Sequence, residues 1–159
     1  MREVVSNTSP LQYLHQADVL ALLPSLYDRV LVPTAVAAEL DEGRARGVSL
    51  PDVRSLPWVV IVDPPTPELL ALAPDLGPGE RSALAVAVSR HLVVILDDAL
   101  ARRHAALLSL RCTGTLGILI GAKREGHLAA VRPVLDRLEA LRFRLDPATR
   151  TNALMLAGE

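Results

Sequence analysis

Val93-Val94-Ile95-Leu96-Asp97-Asp98 is a run of four apolar residues closed by two acids. Three of the four are β-branched, and a short run without polar interruption is the pattern of a strand buried on both faces, as in a parallel sheet covered by helices. The two carboxylates put negative charge at the carboxyl edge of that sheet, the crevice in which open α/β folds bind ligands. An anion beside an apolar core is costly unless it is paired, hydrogen-bonded or coordinated. Something cationic is therefore expected nearby.

On either side of that run, Val4-Val5, Val30-Leu31-Val32 and Val59-Val60-Ile61-Val62 read as companion strands, with a weak one near Arg111 to Thr113. Helical patterns lie between them over Pro10 to Leu14, Val19 to Leu26, Thr34 to Asp41, Glu68 to Leu72 and Glu80 to Arg90. Three more follow, over Ala99 to Leu110, Leu116 to Glu125 and Val131 to Leu141. Punctuation agrees: Pro33-Thr34 begins one helix, Gly77-Pro78-Gly79 precedes another, and Asp63 to Pro67 is a stiff turn. This order of elements predicts an α/β sandwich with a central, mostly parallel sheet.

With 159 residues, half of them hydrophobic, the chain is expected to form one domain over residues 1–159 and to bury a full core without disulfides. Aromatic residues make up only 3%, which leaves few rings for stacking exposed bases. A net charge of -1 means that any nucleic-acid binding must come from local patches. The lone Cys112 excludes an internal disulfide or a thiolate metal cluster. No apolar stretch has the length of a signal peptide or a membrane span, so a cytoplasmic protein is expected, with no membrane association.

Two further acids share the pattern of Asp97 and Asp98. Glu80 falls in line with Ala83, Leu84 and Ala87 on the stripe of its helix that should face the sheet, and Glu39 shares a face with Ala35 and Val36. Taken alone, each polar residue has an ordinary reading. Glu80 complements a helix dipole, Asp98 caps the helix at Ala99, Glu39 pairs with an arginine, and Asn7 caps a helix with Pro10 in its first turn. Taken together, polar strand ends and inward glutamates converging on one sheet edge form a set of hard oxygen ligands suited to Mg²⁺ or Mn²⁺. Phosphodiester hydrolysis is the chemistry such a set serves.

The chain resembles the PIN-domain nuclease superfamily, in its branch of small prokaryotic DUF3368-type proteins, over almost its whole length. The matching blocks are Val4 to Leu11, Val32-Pro33 with Glu39-Leu40, Gly77 to Leu84, Ile95 to Asp98 with Ala101-Arg102, and Gly114-Thr115-Leu116-Gly117. The resemblance implies a PIN-like three-layer α/β/α sandwich and metal-dependent cleavage of RNA. It also implies the role of toxin in a type II pair with a cognate antitoxin protein. By the same resemblance Glu39, Glu80 and Asp97 are metal ligands, with Asp98 an alternative or helper in catalysis. PIN nucleases commonly carry Asp where this chain has Asn7, whose amide oxygen can ligate Mg²⁺ or orient a water but brings no charge. A catalytically weak RNA- or protein-binding module is therefore the alternative reading, and a small-molecule phosphoesterase a third.

Arg102 and Arg103, with Lys123 and Arg124 further on, are candidates for a basic rim that holds RNA phosphates. The four histidines show no paired ligand spacing, no serine sits in a nucleophile elbow, and no phosphate-binding glycine loop is present. The helix of Val131, Leu135 and Leu138 and the apolar tail Ala153 to Leu156 are expected to pack on the core, with a homodimer seam or an antitoxin groove as alternatives.

Overall fold

A computed structural model describes residues 1–65, 71 and 73–159. Its centre is a five-stranded, entirely parallel sheet in the order β3-β2-β1-β4-β5. The strands are β1 (Glu3–Ser6), β2 (Arg29–Pro33), β3 (Val59–Val62), β4 (Val93–Ile95) and β5 (Cys112–Thr113). Eight α-helices are seen among the described residues: α1 (Thr8–Gln16), α2 (Leu22–Leu26), α3 (Thr34–Ala45), α4 (Pro78–Arg90), α5 (Ala99–Leu107), α6 (Thr115–Arg124), α7 (Arg132–Ala140) and α8 (Pro147–Leu156). The helix expected from Glu68 to Leu72 falls on residues outside those described, Ala71 apart.

Alternation along the strands divides the core in two. Val4, Val30, Val32 and Ile95 face one way, onto a cluster built with Leu11 and Leu14 of α1, Val36 and Leu40 of α3, and apolar residues of α2, α6, α7 and α8. Val5, Leu31, Val94 and Leu96 face the other, onto Ala83, Leu84, Val86 and Ala87 of α4 and Ala101 and Ala105 of α5. Successive strand side chains point to opposite faces, so continuous apolar runs such as Val4-Val5 and Val94 to Leu96 are what a sheet buried on both sides demands. The result is the three-layer α/β/α sandwich expected, with every neighbouring strand pair parallel.

Local chemistry sets the helix ends. Asp18 has left-handed φ, and the Val19 amide bonds the Leu14 carbonyl, which closes α1 and delays α2 to Leu22 rather than Val19. Nothing stops α3 at Asp41; it continues to Ala45, before Gly47 with φ 84°. α1 starts two residues before Pro10, and the proline sits in the first turn, where a missing N–H costs nothing.

This topology positions the site. β1 leads to the left through β2 and β3 and is flanked on the right by β4, so the chain reverses its winding direction between β1 and β4. The gap beyond the carboxyl ends of those two strands is the crevice of a doubly wound sheet. Ile95 ends β4 beneath it, fully buried. Ile95→Ala is expected to cost about 2–5 kcal/mol of stability, seen in urea unfolding as a lower midpoint with an unchanged slope.

Candidate functional site

Asn7 leaves β1 at this crevice. Its backbone N–H donates to the Ile95 carbonyl at 3.2 Å, tying the end of β1 to the end of β4. The residue stands at the N-cap position of α1, yet its side chain makes no capping hydrogen bond. It is 5% exposed, and its Oδ1 has no hydrogen-bond partner among the described residues. Burying an unpaired acceptor costs about 1–3 kcal/mol. The ordinary capping role is thus ruled out, and a buried amide oxygen is left unpaired among the described residues at the end of β1.

Around it stand the four acids. Glu39, from α3, accepts the Thr8 hydroxyl on Oε2 and the Gly79 amide on Oε1 at 3.2 Å. Gly79 has to be glycine: a Cβ there would lie 2.7 and 2.8 Å from the two oxygens of Glu39. Asp97 is held more firmly still. Its Oδ1 accepts the Thr115 N–H at 2.8 Å and its Oδ2 the Thr115 hydroxyl at 2.7 Å, with Ser9 Oγ at 3.5 Å, the edge of hydrogen-bonding range. A Cβ on Gly114 would meet Arg102 Nη1 at 2.8 Å and Asp97 Oδ1 at 3.0 Å, so this glycine too makes room for a carboxylate. Asp98 caps α5, Oδ2 accepting the Ala101 N–H at 3.0 Å, as its ordinary reading predicts. Glu80 occupies the first turn of α4, half-buried.

The electrostatics are those of crowded anions. Burial, then the charges of Asp98 and Glu39, push the Glu80 carboxyl above its usual range. Burial also raises Asp97, against the opposing pull of Thr115, Arg102 and Ser9. Among the described residues, however, no three His, Cys, Asp or Glu side chains are drawn together closely enough to hold an ion by themselves. The sheet edge gathers Asn7, Glu39, Glu80, Asp97 and Asp98 into one region, but as separately anchored groups rather than a closed cage. Glu39 is turned to Thr8 and Gly79, and Asp97 to Thr115. The donor set itself suits a hard divalent cation: it consists of oxygens, with an orphaned amide oxygen among them.

Of the expected basic rim, Arg102 lies at the site, its Nη1 donating to the Leu96 carbonyl at 3.1 Å, and Arg103 is exposed on the same helix. Lys123 and Arg124 are elsewhere. They end α6, whose first residue, Thr115, is the one beside Asp97, and they bind Glu159 at 3.0 Å and the Leu156 carbonyl at 3.1 Å. Ten residues of helix, about 15 Å, separate the two ends. Thr115 is no site candidate from the sequence pattern; its signals are its place in the Gly114-to-Gly117 block and a hydroxyl at a helix start, two residues beyond a strand.

Because Glu80 has a raised pKa, folding takes up protons between the ordinary glutamate pKa and the raised one, and stability falls as pH rises through that window. In EDTA, Glu80→Gln is expected to raise Tm at neutral pH. Below the ordinary glutamate range it should leave Tm unchanged, which differential scanning fluorimetry across pH will check.

A comparison with curated proteins finds no match. The family model DUF3368, described as a PIN domain, matches residues 3–159. The chain is therefore a member of the PIN-domain family, whose proteins are nuclease-like and generally depend on divalent metal.

Proposed function

We propose that this protein is a Mg²⁺- or Mn²⁺-dependent ribonuclease, the cytoplasmic toxin of a type II toxin–antitoxin pair, working as a homodimer held by its antitoxin. The observation that carries the metal-dependent reading is the buried Oδ1 of Asn7, without a partner among the described residues, at the switch point of the sheet whose rim also carries Glu39, Glu80, Asp97 and Asp98. A divalent ion bound there would lower the pKa of a water, neutralise phosphate oxygens and steady the leaving group. Asn7, Glu39, Glu80 and Asp97 would hold it.

The chain's own groups divide the remaining work. Thr115 fixes Asp97 in one orientation, and Thr8 with the Gly79 amide does the same for Glu39, so both carboxylates are placed before any substrate arrives. Glu80 has no such anchor among the described residues, and the charges of Asp98 and Glu39 that raise its pKa are the repulsion a bound cation would relieve. Asp98 is fixed as the cap of α5 and adds negative charge beside Glu80.

Cleavage of single-stranded RNA is expected in Mn²⁺ or Mg²⁺ and should stop in EDTA. Glu80→Gln is the cleanest ligand variant, since it breaks no hydrogen bond among the described residues; cleavage should fall by about 10²-fold or more while the protein remains folded. Asp97→Asn should abolish cleavage too while keeping both Thr115 contacts, its Oδ1 accepting the Thr115 N–H and its NH₂ donating to the Thr115 hydroxyl. Full cleavage by Glu80→Gln, or cleavage persisting in EDTA, would reject the reading.

The catalytically weak binding module is the second reading, and Asn7 favours it, because an amide supplies a ligand without charge. Asn7→Asp separates the two. A large gain in metal-dependent cleavage marks a degenerate native site, whereas an unchanged rate marks a site already competent with the amide.

A further inference from the structure

The cleft beside the carboxylates has a second wall that none of the acids explains. One hollow of about 390 Å³ is lined by Ser9 and Tyr13 of α1, by Asp97 and Asp98, and, as its second wall, by Arg142, Phe143 and Arg144. An adjoining hollow of about 370 Å³ continues past Asp97 and Arg102, again against Phe143 and Arg144. The second wall is the connection between α7 and α8. We propose that this segment, through Arg142, Phe143 and Arg144, is the grip that holds a single strand of RNA along the cleft. The inference rests on the nuclease reading above and names the residues that position its substrate.

Several features make the segment a built surface rather than a loose loop. Its ends are fixed. The Arg142 and Phe143 amides bond the carbonyls of Glu139 and Leu138, both at 3.0 Å, to close α7, and Asp146 caps α8 through the Thr149 N–H and hydroxyl, both at 2.8 Å. Between the ends, residues alternate. Leu141, Phe143 and Leu145 pack against the core, while Arg142 and Arg144 are exposed. Phe143 meets Tyr13 edge-on, with ring centroids 4.9 Å apart at 85°.

Charge and ring placement point to the occupant. Among the described residues, neither Arg142 nor Arg144 forms an ion pair, although both line the hollow that Asp97 and Asp98 line. Several surface arginines outside the cleft, such as Arg46 and Arg54, are engaged with neighbouring acids, while others, such as Arg90 and Arg111, form no ion pair among the described residues, so what sets Arg142 and Arg144 apart is their place on this hollow. Two guanidiniums facing two carboxylates across an open gap, without touching them, leave room for a ligand that is itself anionic. Planar guanidinium groups match phosphate oxygens. The chain has four aromatic residues, and two of them, Tyr13 and Phe143, line this same hollow. Few rings therefore does not mean none where they count: phosphate partners beside aromatic surfaces form the combination that binds single strands irrespective of sequence.

The test measures binding of a fluorescein-labelled, short single-stranded RNA by anisotropy in EDTA, where no metal contributes, over a range of salt. The variant Arg142→Gly with Arg144→Gln removes both charges, and Arg90→Ala, at the opposite end of α4 from Glu80, serves as the control. Arg142 has φ 65°, a conformation glycine adopts freely, so this variant should keep the wild-type Tm and any loss is one of binding. Kd is expected to rise about tenfold or more. The slope of log Kd against log salt should shrink by about 0.7 for each arginine, and Arg90→Ala should match the wild type. In Mn²⁺ the double variant should raise KM and retain kcat.

An unchanged Kd and salt slope, or duplex RNA bound as tightly as the single strand, overturns the grip even if cleavage is robust. Salt-sensitive binding that is lost in the double variant, from a protein that cleaves nothing in any divalent metal, upholds the grip and rejects the nuclease reading instead.

Discussion

Negative charge held at the rim of an apolar sheet is the constraint around which this molecule is arranged. Parallel strands buried on both faces leave only their ends for polar chemistry, and the reversal between β1 and β4 concentrates those ends at one crevice. Each acid that enters must find a donor or suffer repulsion. The chain answers with neutral partners: a threonine hydroxyl and a glycine amide for Glu39, both donors of Thr115 for Asp97, a helix N-terminus for Asp98. Among the described residues, Glu80 and Asn7 are left without comparable partners.

Backbone economy at the site follows from the same constraint. Gly79 and Gly114 lack side chains because carboxylate oxygens occupy the space a Cβ would need. Both lie at helix starts, so the chain approaches each acid with an amide rather than a methyl group. Gly79 donates its own N–H to Glu39, while Gly114 passes the task to the following residue, Thr115.

The strand core and the acidic positions were legible in the sequence because they violate composition locally. Apolar runs such as Val59 to Val62 have one sensible home, and an acid ending such a run stands out. Helix bounds were less legible where tertiary geometry sets them, as at Asp18, whose left-handed turn has no composition signature. Placement of cations was hardest. Lys123 and Arg124 follow a matching sequence block yet lie at the far end of α6, whereas Arg142 and Arg144 are distant in sequence and face the acids. Spacing reports which residues share a helix face; it is silent on which loop folds back over a sheet edge. Nor does spacing reveal that the carboxylates are anchored separately, since that depends on rotamers chosen by their neutral partners.

The repulsion at Glu80 also gives the proposed ion a thermal readout. Any ion that settles the repulsion binds the native chain and not the unfolded one, so it raises the melting temperature in proportion to its affinity and concentration. Heat resistance in a panel of chloride salts would then rank magnesium, manganese, calcium and zinc at this position with no substrate in the tube. The preference of the centre becomes measurable before its target is known.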